Sequence, residues 1–221
     1  MNRCESASDT RRVRCWQMIY AKAMAIREAL PEDVASIHGL IVELAEYERA
    51  AHEVLATPRD LHAALFASTP QVHAHVAIDE ETGEVVGFAL WFINYSTWLG
   101  RHGIYLEDLY VKASTRGRGH GRALLSTLAQ ICIENDYGRL EWSVLDWNEP
   151  AIKFYRQLGA ISMDDWTVNR ASGAVLKTLA ELKCGKTPLR VRQDAAQGEA
   201  RRRSAKTGES RRRTRRARLR P

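Results

Sequence analysis

The chain has 221 residues, 45% of them hydrophobic, and carries 33 Lys/Arg against 27 Asp/Glu. That length fits one domain with extensions, and the composition is that of a globular protein able to bury a core. No run approaches the roughly eighteen apolar residues of a membrane span. Cys4, Cys15, Cys132 and Cys184 lack C-x-x-C spacing, which argues against a disulfide framework or a zinc site and for a reducing, cytoplasmic setting.

The net charge of +6 conceals two opposite segments. Residues 183–221 hold 15 Lys/Arg against 3 Asp/Glu, a net of +12; residues 1–182 hold 18 against 24, a net of −6. An acidic body favours small cationic substrates. Residues 1–23 have early arginines but no apolar stretch long enough for a secretory signal, and read as an extension, with Met24 a candidate start. The folded domain is expected over 24–182. Beyond it, Arg201–Arg203 and Arg211–Arg218 dominate a segment too poor in apolar residues to offset its ordering entropy, so disorder is expected. Nucleic acid is a partner only through that tail, which lacks interleaved aromatics for base stacking.

Residues 24–28 read as a strand. Pro31-Glu32-Asp33 opens a helix in which Val34, Ile37, Leu40, Ile41 and Leu44 recur at helical spacing. A second helix follows Thr57-Pro58 and carries Leu61, Leu65 and Phe66. Val72, Ala74, Val76 and Ile78 alternate with Gln71, His73 and His75, the pattern of a strand with one wet face. The pair His73 and His75 finds no third ligand at metal spacing, so no metal is expected. Asp79–Gly83 turns into a strand over Val85–Ile93, and a third runs over Ile104–Val111. The helix from Gly119 places Leu124, Leu125, Leu128 and Cys132 on one face, with Gly138 as its stop. Leu140–Leu145 reads as a strand. Asn148 caps a helix that tolerates Pro150 in its first turn and stops at Gly159. A strand near Trp166–Arg170 and a helix over Ala174–Leu182 complete the body. Trp142, Trp147 and Trp166 fit either an apolar tunnel or the core.

The run Arg116-Gly117-Arg118-Gly119-His120-Gly121 sits between a strand and a helix start. Such a turn presents bare N–H groups and the helix dipole to an anion, and the arginines reinforce the attraction. It is not a P-loop, which needs Lys-Ser/Thr. Nor is it a dinucleotide fingerprint, since the glycines fall at 117, 119 and 121 rather than at G-x-G-x-x-G spacing.

Read at Arg116, Gly119 and Gly121, the pattern Arg-x-x-Gly-x-Gly resembles the acyl-CoA loop of the GNAT N-acetyltransferases. Downstream, Asn148-Glu149-Pro150-Ala151-Ile152-Lys153-Phe154-Tyr155, followed by Leu158-Gly159-Ala160, resembles that family's second hallmark. Tyr105-Leu106-Glu107-Asp108-Leu109-Tyr110-Val111, Glu46-Tyr47-Glu48 and Val86-Gly87-Phe88-Ala89 resemble the diamine (spermidine/spermine) acetyltransferase branch and its bacterial relatives. The resemblance spans about residues 24–182.

It implies a mixed α/β fold whose mostly antiparallel, twisted sheet splays at the cofactor site and is flanked by helices. It implies acetyl-CoA as cosubstrate. The pyrophosphate is expected on Arg116, Gly117, Arg118, Gly119, His120, Gly121 and Arg122. The pantetheine arm is expected along Leu109, Tyr110 and Val111, with Asn148, Ala151 and Lys153 also on the cofactor side. Tyr155 is the expected general acid to the leaving thiolate. Glu107 is the expected amine contact and start of a proton relay. Glu107 and Asp108 are adjacent, so a regular strand points them to opposite faces. Tyr47, Glu48, Asp108 and Asp164 are the remaining candidates for the substrate side, with Asp165 an alternative to Asp164. The implied reaction is direct attack of a primary amine in a ternary complex, on a polyamine or a lysine-like amino acid such as thialysine. A homodimer is implied as well. The rivals are a GNAT enzyme acting on a protein N-terminus or an aminoglycoside, and an acyl-CoA-sensing protein that binds nucleic acid.

Overall fold

A computed structural model describes residues 25–182. The expected extension over 1–23, Met24, Cys4, Cys15, Cys184 and the arginine-rich tail lie outside the described residues. The described chain falls into two compact units that divide after Ala160.

The first unit is built on five strands: β1 (Ala25–Glu28), β2 (His73–Ile78), β3 (Val85–Ser96), β4 (Arg101–Val111) and β5 (Leu140–Trp142). They lie side by side in chain order, with β1 to β4 antiparallel and β5 parallel to β4. Four helices belong to this unit: α1 (Val34–Tyr47), α2 (Pro58–Leu65), α3 (His120–Glu134) and α4 (Glu149–Gln157). The expected mixed α/β architecture is present.

Two cores cover the two faces of the sheet. Val34, Ile37 and Leu40 of α1, with Leu61 and Leu65 of α2, pack on Val76, Phe88, Leu90 and Tyr110. Leu124, Leu125, Leu128 and Cys132 of α3 pack on Ala89, Trp91, Ile104 and Leu106. Both helix stripes are those the i, i+3, i+4 spacing predicts. At the entry to α1, Asp33 is buried and accepts from the Leu30 N–H at 2.7 Å and from both terminal nitrogens of Arg27, one at 2.9 Å. Burial alone would raise its pKa, but those donors outweigh it and hold the carboxyl below the usual range.

Several sequence expectations are corrected. The β2 face carrying His73 and His75 is not wet. His75 is buried and accepts from the Trp91 indole N–H at 3.1 Å, while His73 stacks on the same ring at 4.5 Å. A tryptophan 16 residues downstream covers the face, which local alternation cannot reveal. Gly138 does not end α3. The helix ends at Glu134 with Asn135 as its cap, and Asp136 takes the left-handed conformation at φ 54°. Gly138 instead allows a close approach, because a Cβ there would lie 2.9 Å from Leu99 Cδ1. The strand expected over 140–145 ends at Trp142.

The second unit, within the described residues 161–182, holds helix α5 (Ala174–Glu181) and no strand. The strand expected near Trp166–Arg170 is absent: no rung of the sheet comes from these residues, and Val168 is 82% exposed. β-propensity needs a neighbouring ladder to be realised. No described helix is long and apolar enough to cross a membrane.

Candidate active site

Strand β4 has two unlike edges. Toward β3 it pairs from Arg101 to Val111. Toward β5 it pairs only at Ile104, Leu106 and the residue between. From Glu107 to Val111 that second edge has no β partner among the described residues, which is the splay the resemblance implies. Apart from the Val111 carbonyl, which accepts from Arg116, its outward backbone groups can receive an extended ligand, as an edge strand does.

The pairing of β3 with β4 slips between Leu90–Asp108 and Trp91–Leu106, so Glu107 is the extra residue of a β-bulge. This overturns the expectation that Glu107 and Asp108 point to opposite faces. Leu106 and Leu109 both pack on the α3 side, so the two residues between them share the other face. The consequence is electrostatic. Glu107 is exposed, whereas Asp108 is half-buried, and its pKa is pushed up to about 6. Burial is the main cause; the charges of Glu107 and Glu48 add to it.

Glu48 follows the last turn of α1, and burial raises its carboxyl too. Its charge also reaches Tyr155 on α4, whose pKa is pushed up to about 12, first by burial and then by Glu48. Tyr155 packs beside Trp142 at 4.9 Å. Asp108 and Tyr155 thus lie within the field of one carboxylate. Tyr47 ties the end of α1 to the start of α4: its hydroxyl donates to Asn148 Oδ1 at 2.9 Å. The same oxygen accepts from the Ala151 N–H at 3.3 Å, the helix cap that the sequence indicates.

The glycine loop follows β4. Gly117 and Gly119 adopt φ 80° and 98°, left-handed conformations that side chains resist. Among the described residues, the N–H groups of Gly117, Arg118 and Gly119 find no protein acceptor. At Gly121 a Cβ would make only an ordinary contact, 3.6 Å from Phe154, so packing does not demand glycine there. His120 opens α3. It is 4% exposed, and its Nδ1 has no partner. Open N–H groups, an orphaned imidazole nitrogen and a free strand edge suit a polyphosphate with an extended amide arm, so these residues fit acetyl-CoA.

The arginines are held elsewhere in this state. Arg116 Nε donates to the Val111 carbonyl at 3.0 Å, and its guanidinium lies over Tyr47 and Tyr110, at 5.2 Å and 5.3 Å. Arg118 donates to Asp79 at 3.3 Å. Arg122 and Lys153 are exposed. Asp164 belongs to the second unit. Sequence reasoning missed Asp79, whose other oxygen accepts from the Glu81 and Thr82 N–H groups, and Glu43, which accepts from the Tyr110 hydroxyl at 3.1 Å. An aspartate opening a turn and a glutamate on a helix face carry no signal of such distant partners. Among the described residues no cluster of His, Cys, Asp or Glu is suited to a metal.

This arrangement coincides with a match to the Acetyltransferase (GNAT) family over residues 28–160. The chain belongs to the GNAT acetyltransferase family. That family draws its acyl group from acetyl-CoA, so the chain is an N-acetyltransferase. It is 40% identical over 164 residues to the thialysine N-epsilon-acetyltransferase of Bos taurus, covering 70% of this chain and 96% of that protein. It is 32% identical over 200 residues to an L-ornithine N5-acetyltransferase of Arabidopsis thaliana, covering 71% and 88%. Among solved structures, an integron cassette protein from V. cholerae aligns with a TM-score of 0.61 at 28% identity, covering 72% of this chain and 99% of that one.

Proposed function

We propose that this GNAT enzyme acetylates the primary amine of a small cationic acceptor, a polyamine, a diamine or a lysine-like amino acid, with donor and acceptor held together in a ternary complex. The observation that carries this reading is the bulge at Glu107, which sets the half-buried carboxyl of Asp108 beside the open edge of β4, within reach of the charges of Glu107 and Glu48. The relatives named above, which act on thialysine and ornithine by their names, support it.

Acetyl-CoA, held by the glycine loop and the β4 edge, supplies an activated acetyl thioester. The chain's own groups manage charge and protons. Glu48, Glu107 and Asp108 attract the ammonium form of the acceptor. That attraction alone would keep the amine protonated and unreactive. Asp108, titrating near 6, is the group that takes the proton, either directly or through water. This shifts the role first expected of Glu107 to its half-buried neighbour, and leaves Glu107 to steer and to raise Asp108. Tyr155 keeps its phenolic proton throughout the neutral range and holds it for the leaving sulfur. Holding both reactants supplies much of the rate without a covalent enzyme intermediate. A cytoplasmic homodimer completes the reading; the dimer rests on the family resemblance and the compartment on four cysteines without C-x-x-C spacing.

The test is thiol release from acetyl-CoA with a panel of amines, repeated with Tyr155→Phe. Turnover with at least one diamine or lysine analogue, largely lost in the variant, is expected. Turnover with none, or equal turnover in both proteins, contradicts the reading.

A further inference from the structure

We propose that Arg49 binds the carboxylate of the acceptor, so that the enzyme selects amino acids bearing a terminal primary amine over diamines of the same length. This rests on the acetyltransferase reading and narrows its acceptor class.

Three observations single out Arg49. Its backbone is left-handed, at φ 62°, directly after Glu48 at the end of α1. Glycine or asparagine is the ordinary occupant of that position, and a long side chain there costs about 1 kcal/mol. Backbone strain of this kind concentrates at functional sites. The guanidinium lies 5.8 Å from the centre of the Trp147 ring, and that ring lies 5.9 Å from Tyr47. Through Trp147 and Tyr47, whose hydroxyl reaches Asn148, Arg49 stands where the end of α1 meets the start of α4, next in the chain to Glu48. Finally, Arg49 makes no ion pair among the described residues. Its five donors are available, and a guanidinium matches a carboxylate in two parallel hydrogen bonds.

The surrounding charges give this cation a purpose. Glu48, Glu107 and Asp108 make the site attractive to any ammonium ion. An arginine at its rim repels a molecule with positive charge at both ends and attracts one that ends in a carboxylate. Glu48 and Arg49, consecutive and opposite in sign, complement an α-ammonium and α-carboxylate pair, while the remote amine reaches toward Asp108. Selectivity then comes from a repulsive element as well as an attractive one.

Full-length protein is assayed for thiol release with L-lysine and with 1,5-diaminopentane, which lacks only the carboxylate. The wild type is expected to have the higher kcat/KM for lysine. In Arg49→Asn, which suits the left-handed backbone and removes the guanidinium, the lysine-to-diamine ratio is expected to fall by about tenfold or more through the KM for lysine. Arg49→Lys is expected to recover part of that ratio. Equal losses for both acceptors, or a wild type that prefers the diamine, overturn the inference and leave the acetyltransferase reading intact. Release with no amine at all sinks that reading together with the inference.

Discussion

The two edges of β4 come from one stretch of sequence and do different work. The edge toward β3 is paired along its length, tightly enough that a Cβ on Gly87 would lie 2.8 Å from the Tyr110 carbonyl oxygen. The edge toward β5 is paired for three residues and then left open. The cause is the partner: β5 stops at Trp142, and the chain then turns toward the cap at Asn148. The closed edge supplies rigidity. The open edge offers backbone groups for the binding surface proposed above, and the bulge between the two aims the carboxylates away from the α3 core. The proposed site thus falls where pairing stops, not where it is strongest.

The comparison can be broken most severely at the open edge. Tyr155→Phe is expected to lower kcat by about 10²- to 10⁴-fold while acetyl-CoA affinity changes little, because the phenol acts on the leaving group rather than on cofactor binding. Steady-state kinetics with calorimetry checks both halves.

Asp108→Asn tests the bulge. A loss of about tenfold to several-hundredfold in kcat/KM for the amine is expected, together with loss of the acidic limb near pH 6 in the rate profile. The same change acts oppositely on stability. The folded pKa of Asp108 lies above the ordinary aspartate value of 3.8, so the folded state holds this proton more tightly than the unfolded one. The stabilising effect of the protonated group is complete below about 4 and is lost as pH rises through about 6. The variant is therefore expected to be more stable than wild type by about 1–2 kcal/mol at pH 8, with the gain gone at pH 4, in denaturant titrations at the two values.

On the closed edge, Gly87→Ala is expected to cost about 1–3 kcal/mol of stability, since the added methyl meets a backbone carbonyl in the fixed ladder. Gly117→Ala, in a loop where a Cβ meets nothing within 4 Å, should cost only the left-handed backbone strain of about 1 kcal/mol. Equal costs would erase the distinction between the two regions. The smallest effect is expected from Asp79→Asn, which frees Arg118 and alters acetyl-CoA affinity by only a few-fold.

The helices were legible in the sequence because their signals are local. The stripe Val34, Ile37, Leu40 and the cap at Asn148 need no knowledge of the rest of the chain. The glycine loop and Tyr155 were legible as motifs. What was not legible depends on partners far away in the chain. His75 reads as wet until Trp91 is laid beside it. Glu107 and Asp108 read as pointing apart until the bulge shows which register β3 imposes. Residues 166–170 read as a strand, but no neighbouring ladder takes them up. Arg49 carries no sequence signal at all, because its left-handed backbone and its ring contact appear only in three dimensions.

Amide hydrogen exchange of the full-length protein, with and without acetyl-CoA, tests the central claim most directly. Protection gained over residues 107–111 and 117–121, with β3 already protected and unchanged, is the result this account predicts. Exchange that is unaltered in those two segments at saturating ligand, or protection confined to other parts of the chain, would contradict it.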